Sequence, residues 1–383
     1  MANPLDGIRV VDLSRILAGP LCTMVLADLG ADVVKIERPG EGDDTRHWGP
    51  PFAGEDAAYF LSLNRNKRSV SADLTTDEGV SLVRRLATSA DVLIENFRPG
   101  LMARFGLDPD ELRRANPRLV TCSLSAFGPL PQGNASRPGY DIIMQALSGL
   151  MSVTGDREGE PTKAGVALLD VITGLYAAVG VLAALRERDT GGRGRHVSVA
   201  LFDASVAAMV NQAANYLIGG VVPGPMGNGH PNIVPYQAFH AADRPFILAA
   251  GNDRLFVRTC DVIGRPELAG DARFATNEAR VDHRDELIPL LEEAFSARTA
   301  AEWLALLDGA AVPCSPILRM DEVFASGDGA ALVEEVEDPV RGMLKLVSGP
   351  IRFDGTAPPI ERPPPRLGEH DAEIRAELEG ESS

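Results

Sequence analysis

The chain has 383 residues, 45% of them hydrophobic and 24% charged, a balance that allows a sizeable core and a length that suits two domains. Its 37 basic and 54 acidic residues give a formal charge of −17. That argues against nucleic acid or an anionic membrane as a bulk partner, but not against an anionic ligand held by a local cluster of arginines.

In chain order, residues 8–13 read as a buried strand. Residues 20–29 read as a helix, with Pro20 at its start and Gly30 past its end. Residues 33–37 and 68–73 are further strands. Thr75-Thr76-Asp77-Glu78 carries a capping-box pattern and opens a helix to about Ser89. Strands follow at 92–95 and 119–124. This alternation predicts an α/β fold built on an open, mostly parallel sheet with helices on both faces. Residues 142–149 and 171–188 read as apolar helices, 196–202 as a strand and 204–218 as a helix.

From Gly219 to Pro231 the texture turns to glycine and proline, the mark of a linker. A smaller α+β unit follows, with strands at 236–240 and 246–250 and helices at 253–263 and 277–295. Thr299-Ala300-Ala301-Glu302 supplies a second capping box, and the chain leaves this unit around residues 323–327. The proline-rich tail is too restricted to build a core alone, so it is expected to pack along another domain or subunit. Residues 1–7 lack a charged segment followed by an apolar one, and no uncharged apolar run approaches membrane-spanning length. Neither a signal peptide nor a membrane partner is expected. The four cysteines are scattered and lack metal-ligand spacing, which reads as free thiols of a cytoplasmic protein without a metal site.

Asp170 stands out within Gly165-Val166-Ala167-Leu168-Leu169-Asp170-Val171-Ile172. It sits where the following helix should have its N-cap, a place that keeps a carboxylate ionised, while apolar neighbours keep it poorly solvated. Two readings stand side by side: a plain cap, or a nucleophile. Asp141, after Gly139-Tyr140, is a second carboxylate at a helix start, again either a cap or a partner in acid–base work. Arg38 after the second strand suits a phosphate; Asn66-Lys67-Arg68 and Glu95-Asn96-Phe97-Arg98-Pro99-Gly100 lie at loops beside the sheet, with Arg104 about a turn beyond. The first turn, Ile16-Leu17-Ala18-Gly19-Pro20, lacks the glycine spacing of a dinucleotide fingerprint, which argues against a nicotinamide enzyme.

Six segments stand in order along the chain: Pro4-Leu5-Asp6-Gly7-Ile8-Arg9-Val10-Val11-Asp12-Leu13 with Ala18-Gly19-Pro20; Leu29-Gly30-Ala31-Asp32-Val33-Val34-Lys35-Ile36-Glu37-Arg38-Pro39; Asn64-Arg65-Asn66-Lys67-Arg68-Ser69; Glu95 to Gly100; Asn116-Pro117-Arg118; and Pro365-Arg366-Leu367-Gly368-Glu369-His370. Together they resemble the class III CoA-transferase family, which includes formyl-CoA and carnitine CoA-transferases. The resemblance implies a Rossmann-like large domain (1–218), a linker and small domain (219–325), and a linker and C-terminal return to the large domain (326–383), in an interlocked homodimer. It implies that Asp170 is the nucleophile and that Ala18, Arg38, Ala72, Asn96, Phe97, Arg104 and the stretch from Arg137 to Tyr140 contact CoA. Trp48 and Tyr59 match positions lining an acyl pocket. CoA is then a substrate, with no permanent cofactor; the partners are an acyl-CoA and a small carboxylic acid.

Two departures matter. Leu17 replaces the glutamine of formyl-CoA transferases, and Met226-Gly227-Asn228-Gly229-His230 replaces their longer glycine loop. Formyl transfer is therefore disfavoured, and the segment from Gly229 to Phe239 is similar to members that handle succinyl- and glutaryl-CoA. His230 either contacts substrate or packs. Two rivals remain. Related α-methylacyl-CoA racemases place a His-Asp pair where this chain has Tyr140-Asp141, and tyrosine is a poor base at neutral pH. An idle CoA-binding subunit would lack the nucleophile.

Overall fold

In the computed structural model, residues 3–128 and 137–380 are described. Three apolar runs, β1 (Arg9–Asp12), β2 (Asp32–Glu37) and β3 (Lys67–Ser71), pair in parallel, with Val10 beside Val33 and Val34 beside Arg68. β4 (Val92–Glu95), β5 (Val120–Ser125) and β6 (His196–Ala200) extend the sheet from the other side of β1, also in parallel. The order is therefore β3-β2-β1-β4-β5-β6, the doubly wound arrangement whose direction of travel reverses between β1 and β4.

Both faces of the sheet are covered. On one, α1 (Ala18–Asp28) and α7 (Leu168–Gly191) bury Cys22, Leu26, Ala177, Ala178, Val181 and Leu185 against Val10, Val33 and Val120. On the other, α3 (Asp77–Ser89) buries Leu82, Val83 and Leu86 against Val11, Val34 and Leu93. By length and composition α7 could cross a membrane, with a mean hydropathy of 2.1. Instead, one of its faces carries the core of this unit. Between these elements lie α2 (Ala58–Leu61), α4 (Leu101–Arg104), α5 (Pro109–Ala115) and α6 (Asp141–Leu147).

The chain forms two compact units, one of Met1–Leu150, Ala164–Gly220 and Ala331–Ser383, the other of Met151–Lys163 and Val221–Ala330. In the second, β7 (Tyr236–His240), β8 (Pro245–Ala249) and β9 (Cys314–Pro316) form a small antiparallel sheet. It encloses an aromatic centre of Phe239, Phe246, Phe256, Phe274, Phe295 and Trp303.

The last part of the first unit is a hairpin, β10 (Val333–Asp338) with β11 (Gly342–Val347), then the proline-rich segment and a helix over Asp371–Gly380. The prolines pack within their own unit: the carbonyl of Pro364 accepts from Arg341 and that of Pro365 from Arg46. Along the free edge of β3, Asp371 accepts from the Ser71 N–H, His370 donates to the Ser69 carbonyl, and Arg68 pairs with Glu373 and Glu377.

Several boundaries differ from the sequence expectation. The strand expected at 196–202 ends at Ala200, and the helix expected at 204–218 is two, α8 (Leu201–Ala207) and α9 (Val210–Leu217), broken where Val210 takes a positive φ of 31°. After α10 (Asp253–Val262), the helix expected at 277–295 breaks at His283 (φ −106°, ψ 27°), and its second part is α11 (Arg284–Phe295). Thr299 and Glu302 do form a reciprocal capping box at α12 (Ala300–Gly309). At α3 the cap is Thr76, accepting from Gly79; Thr75 bonds Asp73 instead, and glycine at the position where the box needs an acid leaves it without a reciprocal bond.

Candidate active site

Open α/β sheets take ligands beyond the C-terminal ends of their strands, at the point where the connections diverge. A groove of about 630 Å³ opens there, beyond β1 and β4. Residues 15–18, 96–99 and 137–140 line it, and Asp170 in the first turn of α7 faces it.

The turn after β1 is strained. Ile16 has φ 74°, a left-handed value that a β-branched side chain rarely adopts. Three side chains hold it. Asn96 accepts from the Arg15 N–H at 2.9 Å and donates to the Arg15 carbonyl at 2.7 Å. Asp43 accepts from the Ile16 N–H at 3.2 Å, and Lys35 donates to the Ser14 carbonyl at 2.9 Å.

Lys35 and Asp43 are fully enclosed and 2.9 Å apart. Burial alone would strip Lys35 of its proton, but Asp43, Asp12 and Glu37 outweigh it and hold Lys35 above the ordinary lysine range. Burial likewise opposes the charge on Asp43, yet Lys35 and Thr45 bring it down to about 2. Beside them Lys67 pairs with Asp12 at 3.2 Å, and there burial prevails and lowers the lysine to about 8. The sequence carried a trace of this cluster, since Lys35 interrupts an apolar strand.

Asp170 is half-buried. Burial first, and then the charge of Asp141, push its carboxyl up to about 7. It is not the N-cap of α7, as its place in the sequence suggests. The capping position is Ala167, whose side chain makes no bond, and Asp170 lies in the first turn. The cap comes from α6: Oδ1 of Asp141 accepts from the N–H groups of Leu169 (2.8 Å) and Asp170 (3.2 Å). With its own carboxylate free of that task, Asp170 is not held ionised by the helix end.

One turn further, Gly174 shares a face with Asp170. A Cβ there would lie 2.6 Å from the Ala18 carbonyl oxygen. Glycine lets α7 lie directly on α1, which brings Asp170 beside the turn at Leu17 and Ala18.

Of the residues singled out in the sequence, Leu17, Ala18, Asn96, Phe97, Arg104, Arg137, Tyr140 and Asp170 line the groove. Arg15 and Arg98 join them, giving four arginines on one groove of an acidic protein. Arg15 pairs loosely with Asp44, and Arg137 lies over the Phe127 ring. Arg38 is not brought to this groove; it is exposed and paired with Glu41 and Asp44. Ala72 is a core residue whose N–H donates to Glu37. Trp48 and Tyr59 meet edge to face at 5.4 Å. Burial raises the Tyr59 hydroxyl above the ordinary tyrosine range, and the charges of Asp170 and then Asp141 add to it, so Tyr59 lies within reach of both carboxylates. His230 belongs to the second unit, where its ring meets Tyr236 at 5.4 Å and accepts from the Asn232 N–H.

Comparison with known proteins gives a consistent picture. The model of the CoA-transferase family III matches residues 5–371. A succinate–glutarate CoA-transferase of Agrobacterium fabrum is 45% identical over 98% of this chain and 96% of its own length. A human succinyl-CoA:glutarate CoA-transferase is 40% identical over 98% of this chain and 86% of its own. Among solved structures, a CaiB/BaiF family protein from Brucella suis superposes with a TM-score of 0.86 at 45% identity, covering 99% of this chain and 100% of that one.

Proposed function

The chain belongs to CoA-transferase family III, and from that footing we propose that it moves CoA from succinyl-CoA to a second dicarboxylic acid such as glutarate, with Asp170 as the nucleophile. The observation that carries this reading is the Asp170 carboxyl, half-buried and raised to about 7 on an arginine-rimmed groove at the switch point of the sheet. The relatives named for succinyl-CoA and glutarate support the choice of substrates.

In this mechanism ionised Asp170 attacks the thioester carbonyl. A C–O bond forms, the C–S bond breaks, and CoA leaves as thiolate with a mixed anhydride behind it. The thiolate attacks the aspartyl carbonyl, releases the donor acid and leaves an aspartyl-CoA thioester. The acceptor carboxylate attacks that thioester, and the returning thiolate takes the new acyl group and frees Asp170. Division into such steps is the gain from covalent catalysis. The N-terminus of α1, at Ala18, is suited to an oxyanion because its first N–H groups lack helical partners.

Asn96, Phe97, Arg104 and Arg137 are assigned to CoA, whose phosphates suit arginine. Trp48 and Tyr59 are assigned to the acyl group, and the first unit as a whole to CoA binding. Tyr140 stands where a racemase would need its histidine base, which speaks against isomerisation. An interlocked homodimer completes the reading. Its support is the row of exposed apolar side chains on α7 and α9, among them Leu175, Tyr176, Val179, Val210, Tyr216 and Leu217. Four unpaired cysteines fit a cytoplasmic setting.

Trapping tests the central claim. The protein is incubated with succinyl-CoA, quenched with hydroxylamine or borohydride, and the Asp170 peptide is weighed by mass spectrometry. A modified Asp170, lost in Asp170→Asn, is expected. An unmodified Asp170 under conditions in which glutaryl-CoA still forms would overturn the assignment.

A further inference from the structure

Asp141 and Gln145 form a contact set that transfer chemistry itself does not call for. Gln145 is completely buried, four residues after Asp141 on the same face of α6. Its amide nitrogen donates to Oδ2 of Asp141, and its amide oxygen accepts from the Ala164 N–H at 2.8 Å. Oδ1 of Asp141 accepts from the first turn of α7 at Leu169 and Asp170. Both Asp141 oxygens are thus occupied within the protein, and the side chain is absent from the groove lining.

We propose that Asp141 is a positioning residue that sets the reactivity of Asp170, and that the buried amide of Gln145 locks it in that role. This rests on Asp170 being the nucleophile. Asp141 acts on it in two ways. It replaces the missing side-chain cap of α7, so the first turn that presents Asp170 stays formed. Its negative charge lies beside Asp170 and makes that carboxylate more basic, which favours attack on a thioester. Gln145 anchors the arrangement to the strand of chain that leads into α7, so Asp141 cannot swing out to solvent.

Among the described residues, two ionisable groups bear on Asp170 from neighbouring helices. Asp141 comes from α6 and Tyr59 from α2, and both bear on Asp170 with the same sign when ionised. Neither α6 nor the first turn of α7 carries a basic residue. Arg15 and Arg137 line the same groove from other segments.

The test reads Asp170 directly. Protein labelled with carbon-13 at aspartate carboxyls is titrated by NMR, with Asp170→Asn identifying the resonance. In the native protein Asp170 is expected to titrate near pH 7. In Asp141→Asn, where an amide oxygen still accepts the two N–H bonds, its midpoint falls by about one pH unit or more, the scale on which neighbouring carboxylates act. Gln145→Met lowers it in the same direction and speeds amide exchange at Leu169 and Asp170. A merely structural cap would slow transfer without moving the midpoint, so an unmoved midpoint in both variants overturns the proposal. The acid limb of kcat/KM for succinyl-CoA and glutarate is measured in parallel and should follow the NMR midpoint. If the midpoint shifts but no variant, native protein included, transfers CoA, the transferase reading fails and with it the role of Asp141 in setting a nucleophile, and only the coupling between the two carboxylates stands.

Discussion

The two units of the chain build their centres in opposite ways. Beneath the groove of the first unit lie Asp12, Lys35, Asp43 and Lys67, all enclosed, with Glu37, Arg46 and Asp56 linked further along. The middle of the second unit is a nest of rings, in which Phe295 meets Phe239, Phe246 and Trp303 at 5.1, 5.1 and 5.3 Å. Rings fill volume and stabilise by burial, with loose demands on direction. Buried charges are poor stabilisers, because desolvation consumes most of their attraction, but each demands its partner at a fixed place. The charged centre lies under the strained turn at Ile16, where direction matters, and the aromatic centre lies where volume suffices.

The largest effect should come from splitting a charge pair. Lys35→Met leaves the enclosed Asp43 carboxylate without its cation and should cost about 3–5 kcal/mol in urea unfolding. Lys35→Met with Asp43→Leu should recover most of that stability without recovering transfer, since the Ile16 N–H keeps no partner. Recovery of both together would show that the charges serve stability alone and would break the comparison.

In the second unit Phe295→Ala should cost about 3 kcal/mol through the cavity it leaves. It should leave the titration of Asp170 where it was. A moved midpoint there would mean that the two centres are not independent.

A smaller effect has the opposite sign. The carboxyl of Asp170 sits at about 7 in the folded chain, against 3.8 for an ordinary aspartate. Between those values the folded state holds a proton that the unfolded state has lost, so stability falls as pH rises through the window. Asp170→Asn should therefore be more stable than the native chain at pH 8, by about 2 kcal/mol after discounting for partial exposure, and equal to it near pH 4. Thermal unfolding at the two pH values measures the gain, and its absence would mean that Asp170 is well solvated. Smallest of all, Thr299→Ala removes half of a capping box and should cost about 1 kcal/mol, with no effect on transfer.

Much of this frame was legible in the sequence, because apolar runs of strand length bracketed by helix signals are local. The sheet strands fall within a residue or two of expectation, and eight of the residues picked for the site line one groove. What escaped was long-range or lacked a signal. Nothing near Asp170 shows that its helix is capped from Asp141, 29 positions upstream. The run Ala207-Ala208-Met209-Val210 contains no breaker, yet the helix breaks there. Arg38 suits a phosphate by its place after the second strand; the structure pairs it with Glu41 and Asp44, which stand three and six residues on.

The cover on β3 has a consequence for the making of this protein. The strand is laid down early, but the groups that shield its open side, His370, Asp371, Glu373 and Glu377, are about 300 residues later in the chain. During synthesis the growing chain must carry an unprotected strand edge until these residues emerge, and an open edge is a template for pairing with other chains. A message cut short after the hairpin would thus yield a chain prone to aggregate, and a chaperone that shields strand edges would matter most in the interval between synthesis of β3 and of residues 370–377.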